Sequence, residues 1–334
     1  MVPIHGLPKN ALKTVLNQMD IMSLIFFSLC SKRTKLLVVK SRSAKLYMSV
    51  ELTSNPTISI KISSRYGNSL LNTKFLLTRI SHFTELDQIV PCTMGPATSN
   101  WFDIRKDGYG PKQWLQHFQS ISESCTLKLE DFNDWKFSIE SVQRTLSVLR
   151  PRSVKICGAI SEVYQTTKYF PIGDNVQLET RGGRAGETLS KIMIQNVFKV
   201  CLISTLDLNT LLLSNCCYLN ARGNQLSSKD LNIFIKSWMN GTHSRLQCLE
   251  LIKNERRLQS MDFEAIFKGI RYIERPANQQ RMFKMYHSGG WSGFYFNGGF
   301  DIQNVHGVDA TVLMDRRGRK FKMYICNNGE MEER

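Results

Sequence analysis

Residues 7–39, LPKNALKTVLNQMDIMSLIFFSLCSKRTKLLVV, carry the clearest helical pattern of the chain. Pro8 suits the first turn of a helix, because its missing N–H would have no partner there in any case. The apolar residues that follow share one stripe of such a helix: Ala11, Leu12, Val15, Leu16 and Met19. This spacing predicts a short amphipathic helix.

Two more helices are expected directly after the first. Asp20 is suited to cap a helix over residues 21–30, which is apolar on nearly all sides. Residues 31–45 predict a third helical stretch with a basic outer face and with Leu36, Leu37 and Val38 inside. Because units below about 40 residues usually need outside help to fold stably, these helices need a cover. From the periodicity, either a docking partner or the rest of this chain could bury the apolar sides of these helices.

The charge of this stretch indicates an acidic partner. The whole chain carries 44 lysines and arginines against 28 acidic residues, a formal net charge of +16. Residues 1–45 contain eight basic side chains, and Asp20 is their single acidic one. Such an excess favours partners with a negative potential.

The order of residues in this stretch resembles the F-box. Leu7-Pro8 matches the family's opening of its first helix, and Leu29-Cys30-Ser31-Lys32-Arg33 resembles the element that closes its second. Val15-Leu16, Met19-Asp20 and Leu24 fit between them without a gap. F-boxes bind the small acidic adaptor of cullin-RING ubiquitin ligases, so the resemblance implies the same partner here.

The resemblance also implies which residues hold that adaptor: Leu7, Pro8, Leu12, Val15, Leu16, Leu24, Cys30 and Arg33. Two positions depart from the family's pattern. Lys9-Asn10 stands where an acidic residue often follows Leu-Pro, and Thr34 replaces the tryptophan often found after the Lys/Arg element. These departures point to weaker binding or to a variant adaptor.

Residues 46–120 predict a linker sheet followed by a loop. Ile58-Ser-Ile60-Lys-Ile62 alternates strictly, as a strand does, after a turn at Ser54-Asn55-Pro56. Residues 91–111 are rich in glycine, proline and small polar residues, and we expect them to loop out before a helix at residues 114–121.

Residues 121–326 predict an irregular leucine-rich-repeat-like α/β domain with a C-terminal β-segment. Strands at Leu127-Lys-Leu129 and Val154-Lys-Ile156 flank a helix that begins at Ser138. Two segments match the spacing of leucine-rich repeats: Leu208, Leu211, Leu213 and Cys216, then Leu246, Leu249, Leu251 and Asn254. Between them, a buried helical stripe that ends at Gly241 is expected: Leu231, Phe234, Ile235 and Trp238.

This second part also resembles a known domain. Residues 211–249 and the closing stretch 298–312 resemble the F-box associated type 2 domain of the large nematode F-box families. In that family the domain is the presumed target-binding part, so the resemblance implies that residues 121–326 bind a target protein. Residues 46–120 lie outside the resemblance, and residues 327–334 form a polar tail.

The sequence carries no pattern typical of catalysis or metal binding. The nine cysteines are scattered and never spaced Cys-x-x-Cys, and the six histidines form no metal-ligand or catalytic signature. We therefore expect no catalytic residue, no metal site and no cofactor. The glycine-rich loop at residues 181–186 fits neither the dinucleotide nor the P-loop spacing and is predicted to be a turn.

Cellular location follows from the first thirty residues. They lack the basic region of a signal peptide, and the apolar run at residues 21–30 is about half of the ~20 residues that a membrane span needs. We therefore expect a protein of the cytoplasm, the nucleus or both, with no membrane span.

Taken together, these patterns predict an α+β protein with a three-helix F-box at residues 1–45. The predicted function is a non-catalytic substrate-recognition subunit of an SCF-type cullin-RING ubiquitin ligase. The alternative is a nucleic-acid-binding protein, motivated by the charge of +16 and by a glycine-aromatic segment at residues 289–299 and an arginine-rich one at 315–320. Tight turns between strands and a solvated hairpin tip are the simpler accounts of those segments, so nucleic acid is the less favoured partner.

Overall fold

The computed structural model of the chain divides into two compact units, Met1–Val154 (unit 1) and Lys155–Arg334 (unit 2). It describes residues 6–41, 46–53, 58–66, 69–77, 92–95, 102–104, 106–130, 138–170, 176–181, 186–253, 260–287, 290–315, 317–326 and 330–333. The expected turn at residues 54–56 lies outside the described residues, as do residues 182–185 of the glycine-rich loop.

Unit 1 begins with the three expected helices: α1 (Lys9–Gln18), α2 (Ile21–Cys30) and α3 (Lys32–Ser41). Pro8 stands at the N-cap of α1, where its carbonyl accepts from the Leu12 N–H. In α3, Val38 is fully buried but Leu36 is exposed, so the expectation that residues 36–38 all point inside was wrong for Leu36. The reason is geometric, because residues two apart on a helix do not share a face.

A mixed sheet follows the helices. It is formed by β1 (Leu46–Leu52), β2 (Ile58–Tyr66), β3 (Ser69–Leu77), β4 (Cys92–Gly95), β5 (Phe102–Ile104) and β6 (Ser124–Glu130), joined by helices α4 (Pro111–Ile121) and α5 (Ile139–Leu146). The strand order is β6-β1-β2-β3-β4-β5, with β1 parallel to β6 and antiparallel to β2. The loop expected at residues 91–111 was wrong in part, because β4 and β5 lie within it and pair with each other.

The helices of unit 1 rest on this sheet. Helix α2 packs on β2 and β3, and α3 packs on α4. Phe75 of β3 is fully buried against Phe118 of α4, with ring centroids 4.8 Å apart. The sequence left open whether a partner or the rest of the chain buries the apolar sides of these helices. The rest of the chain buries at least their inner side.

Unit 2 alternates strand and helix along the chain. Its elements are β7 (Ser153–Gly158), which starts at the unit boundary, α6 (Ile160–Thr167), β8 (Val176–Arg181), α7 (Glu187–Met193), β9 (Lys199–Ile203), α8 (Leu208–Leu212), β10 (Tyr218–Arg222), α9 (Ser228–Met239), β11 (Cys248–Ile252) and α10 (Phe263–Phe267). Strands β8, β9, β10 and β11 pair in parallel in chain order. The helices pack neighbour against neighbour from α6 to α10.

Antiparallel strands extend the sheet of unit 2 past β11. They are β12 (Ile273–His287), β13 (Gly290–Gln303), β14 (Asp309–Met314), β15 (Lys320–Ile325) and β16 (Glu330–Glu333), in the order β16-β12-β13-β14-β15-β11. Pairing of β14 with β15 confirms a hairpin around residues 315–319, of which residue 316 lies outside the described part. The tight turns expected at residues 289–299 were wrong for residues 290–299, which belong to the single strand β13, and residue 289 lies outside the described residues.

The two leucine-rich segments adopt different structures. Leu208 and Leu211 lie in helix α8, whereas Leu249 and Leu251 lie in strand β11. Their matching spacing therefore does not mark two equivalent repeats. A three-residue step between leucines fits one face of a helix as well as the start of a repeat, which is why the pattern could not separate the two.

Helix α9 forms as its sequence predicts. Ser227 caps it by accepting from the Asp230 N–H at 3.2 Å, and Asp230 accepts in return from the Ser227 N–H at 2.8 Å. The side chains of the expected stripe are all buried, and Trp238 is fully so. Gly241 follows the helix at a φ of +89°, and a Cβ there would lie 2.4 Å from His306 Nε2, so only glycine fits this end.

Candidate functional site

The candidate site is the outer surface of helices α1, α2 and α3. Among the residues assigned to adaptor binding, Pro8, Val15, Cys30 and Arg33 are exposed and Leu7 is half-buried. The other three, Leu12, Leu16 and Leu24, are buried in the core of unit 1. In this conformation the buried leucines position the helices, and the exposed residues are the ones that a partner can reach.

Four large apolar side chains of these helices remain exposed, and we refer to them as the docking set. They are Val15 at 37%, Phe26 at 41%, Leu36 at 50% and Val39 at 43%. Sequence reasoning missed Phe26 because α2 is apolar all round, so periodicity could not show which side stays free. It missed Leu36 by assigning that residue to the inside.

Side-chain caps hold helices α2 and α3 in place. Asp20 caps α2 by accepting from the Ser23 N–H at 2.9 Å and from the Ser23 hydroxyl at 2.7 Å. These hydrogen bonds from Ser23 to the carboxylate keep the pKa of Asp20 below its usual value. At the start of α3, Thr34 accepts from the Ser31 N–H at 2.9 Å while Ser31 Oγ accepts from the Thr34 N–H at 3.0 Å. The departure at position 34 therefore supplies a helix cap.

The end of α2 is tied to the segment around α4. Ser28 Oγ lies 2.9 Å from His117 Nε2, and both side chains are buried. Lys106 donates to the carbonyl of Leu29 at 2.8 Å, where the last turn of the helix has no internal donor. Burial lowers the pKa of His117 to about 4, and the positive charges of Lys35 and Lys106 act in the same direction.

His117 should make the stability of unit 1 depend on pH. Because its pKa is about 4 in the folded chain against 6.5 ordinarily, the unfolded chain binds more protons in that interval. Stability should be complete above pH 6.5 and should fall by on the order of 3 kcal/mol as the pH drops to 4. His117→Gln, which can still bond Ser28 but does not titrate, should flatten this slope in urea unfolding followed by fluorescence. Equal slopes in both proteins would contradict the assignment.

The charge around the docking set is positive. Lys9, Lys13, Lys32, Arg33 and Lys40 are exposed on the three helices. Asp20 is the one acidic residue among the described residues 6–41. An apolar set within a basic surface is suited to an acidic protein that also presents apolar side chains.

Neither a metal-binding cluster nor a membrane-spanning helix is found in the described part of the chain. There, no group of three histidine, cysteine or carboxylate side chains could hold a metal ion. None of the described helices is both long enough and apolar enough to cross a membrane.

Comparison with known proteins gives two family matches and one curated relative. A model of the F-box domain matches residues 4–45, which include the three helices, and a model described as F-box associated matches residues 188–251. The Caenorhabditis elegans protein named "F-box associated domain-containing protein sdz-33" is 23% identical over 317 residues, which is 94% of each chain. No solved structure matches the chain. Neither family match indicates an enzyme.

Proposed function

Since the chain carries both an F-box and an F-box associated domain, we propose that it is the substrate-recognition subunit of an SCF-type cullin-RING ubiquitin ligase. Its F-box holds the small acidic adaptor of the ligase, and its F-box associated part holds a target protein. The chain performs no chemistry itself, because the ligation reaction belongs to other subunits. We place this activity in the cytoplasm, the nucleus or both.

The observation that carries the proposal is the docking set within the basic surface of the matched F-box. Val15, Phe26, Leu36 and Val39 of these helices expose apolar area to water in the free chain. Covering these side chains with a partner removes their apolar area from water, at roughly 25 cal/mol for each Å². Leu7, Pro8, Cys30 and Arg33 complete the proposed contact, and Leu12, Leu16 and Leu24 support it from inside.

We propose that the target-binding part is an irregular stack of the leucine-rich-repeat type. Strands β7, β8, β9 and β10 begin at residues 153, 176, 199 and 218, so their steps lie close to the 20–29 residues of such repeats. Each step contains one strand and one helix, and neighbouring helices pack together. A stack of this kind leaves one face of its parallel sheet free of helices, and binding surfaces of solenoid proteins lie on such faces.

Affinity purification of the full chain from cells, followed by mass spectrometry, tests the proposed function. The adaptor and a cullin should co-purify with the chain at low salt. They should persist at moderate salt, because a largely apolar contact is screened little. Recovery of nucleic acid with a steep loss at higher salt, and no ligase subunit, would favour the nucleic-acid alternative instead.

A further inference from the structure

A row of alternating basic and apolar side chains crosses five neighbouring strands of unit 2. Arg181 of β8 pairs in register with Ile203 of β9, which pairs with Arg222 of β10. Arg222 pairs with Ile252 of β11, which pairs with Lys320 of β15. We refer to these five residues as the basic–apolar row.

The basic–apolar row lies on the sheet face that the helices leave free. The residue next to each member in its strand is buried: Thr180, Leu202, Ala221, Leu251 and Phe321. Because successive residues of a strand point to opposite faces, the row points away from that buried side. Exposure agrees with this direction, since Ile203 is 48% exposed, Ile252 is half-buried and all three cationic side chains are exposed.

The cations of the row are available for a partner. Within the described part of the chain, no ion pair involves Arg181, Arg222 or Lys320. Glu179 and Glu250 each lie two residues from a member of the row in its strand, and both are paired, Glu179 with Lys155 at 2.6 Å and Glu250 with Lys322 at 2.8 Å. Beside Lys320, the Asp315 carboxylate accepts from the Lys320 backbone N–H at 2.8 Å. The row therefore presents three exposed cationic side chains that have no ion-pair partner in the described part of the chain.

Glu250 is held in its paired state by its surroundings. Besides Lys322, it accepts from the Tyr218 hydroxyl at 3.1 Å and from the Asn220 amide at 2.6 Å. Burial alone would raise the pKa of Glu250, but the bond and charge of Lys322, with these two donors, leave its pKa below the usual value. These three partners hold the Glu250 carboxylate in place, so it does not pair with the cations of the row.

The far part of the same face is closed by the chain itself. Phe283 of β12 and Phe294 of β13 stack on Tyr324, with centroids 5.0 and 5.7 Å from its ring. Tyr218 and Tyr324 are buried in the same cluster. The basic–apolar row is therefore the exposed part of this sheet face, and the β12–β13 hairpin covers the part next to it.

From this arrangement we propose that the row binds an extended segment of the target with an acidic residue at every third position and apolar residues between. Neighbouring strands are about 4.8 Å apart, so the cations, two strands apart, are spaced by roughly 9.6 Å. A polyproline II segment advances about 3.1 Å per residue and returns to the same side every third residue, roughly 9.3 Å on. Its intervening apolar residues would contact Ile203 and Ile252.

The proposal rests on the proposed function, because it takes unit 2 as the target-binding part. The two can nevertheless fail separately. Adaptor capture depends on helices α1 to α3, whereas the row lies on β8, β9, β10, β11 and β15. Both properties should therefore be measured on the same preparations.

Fluorescence anisotropy of a labelled (Glu-Leu-Pro)4 peptide with the full chain tests the proposal. The peptide should bind, and Arg222→Glu should weaken binding by about tenfold or more, because it places like charges together. The matched control is Lys229→Glu, the same charge change on an exposed residue of helix α9, which should alter affinity less than about twofold. Ile203→Ser should weaken binding about threefold through lost apolar contact.

Several outcomes would overturn the proposal. They are absence of peptide binding, an equal loss for Lys229→Glu and Arg222→Glu, or equal binding of (Lys-Leu-Pro)4. A labelled single-stranded DNA that binds as tightly, with loss in Arg222→Glu and none in Ile203→Ser, would assign the row to phosphates instead. If every variant still captures the adaptor, such an outcome would contradict the proposal for the row and leave the proposed function standing.

Discussion

Replacing Trp238 by alanine should lower the free energy of unfolding of unit 2 by about 3–5 kcal/mol. Trp238 is fully buried on the inner stripe of α9, so its removal leaves a large cavity. A loss of this size is a major share of the roughly 5–15 kcal/mol that stabilises a typical domain. Scanning calorimetry of the full chain should show the transition of unit 2 shifted to lower temperature.

Two other substitutions serve as controls for Trp238→Ala. Ile233→Ala removes an apolar side chain from the same helix, but Ile233 is 47% exposed, so the change should stay within about 0.5 kcal/mol. Trp238→Phe should cost much less than alanine, because Trp238 Nε1 has no hydrogen-bond partner among the described residues. Unchanged stability in Trp238→Ala would refute the packing of α9.

The same variant separates the two units by function. Trp238 belongs to unit 2, whereas the docking set belongs to unit 1. A protein with Trp238→Ala should therefore lose target binding while it still captures the adaptor. Loss of adaptor capture together with unit 2 would show that the units do not act independently.

Charge placed in the docking set should have the largest effect on adaptor binding. Val15→Asp combined with Phe26→Asp puts two acids on a surface proposed to meet an acidic partner. Buried apolar anchors can cost 2 kcal/mol or more when lost, so affinity should fall by about 30-fold or more in a pull-down titration. Both side chains are exposed in the free chain, so the helices should keep their circular dichroism.

The matched control for the docking set carries the same two charges in unit 2. Leu213→Asp combined with Ile233→Asp changes two exposed apolar residues there and should leave adaptor affinity unchanged. Leu16→Asp should also abolish capture, but by a different route, because it places a charge in the core of unit 1. If the Val15 and Phe26 variant binds normally while folded, the adaptor sits elsewhere.

Local signals in the sequence were enough to predict helices α1 to α3 and the Asp20 cap of α2. Asp20 acts through a residue three positions away, so the sequence contains the whole interaction. The covered side of α2 could not be predicted, because β2 and β3 are brought beneath it by strand pairing. Ser28 meets His117 across 89 positions of sequence, which no local pattern encodes.

The same limit applies to unit 2. The stripe of α9 could be predicted from its periodicity, and Trp238 lies where that stripe requires. The basic–apolar row could not, since Arg181, Arg222 and Lys320 come from three strands that are aligned only in the folded sheet. Each of these residues, considered alone, is an ordinary exposed cation at a strand end.

Calorimetric titration of the purified full chain with the purified adaptor measures whether helices α1 to α3 bind the ligase. A one-to-one complex with a dissociation constant of about 1 µM or tighter is the expected result. Its affinity should be lost in the Val15 and Phe26 variant and kept in the Leu213 and Ile233 variant. Absence of any complex with the folded wild-type chain at about 100 µM adaptor would contradict the assignment of this protein to a ubiquitin ligase.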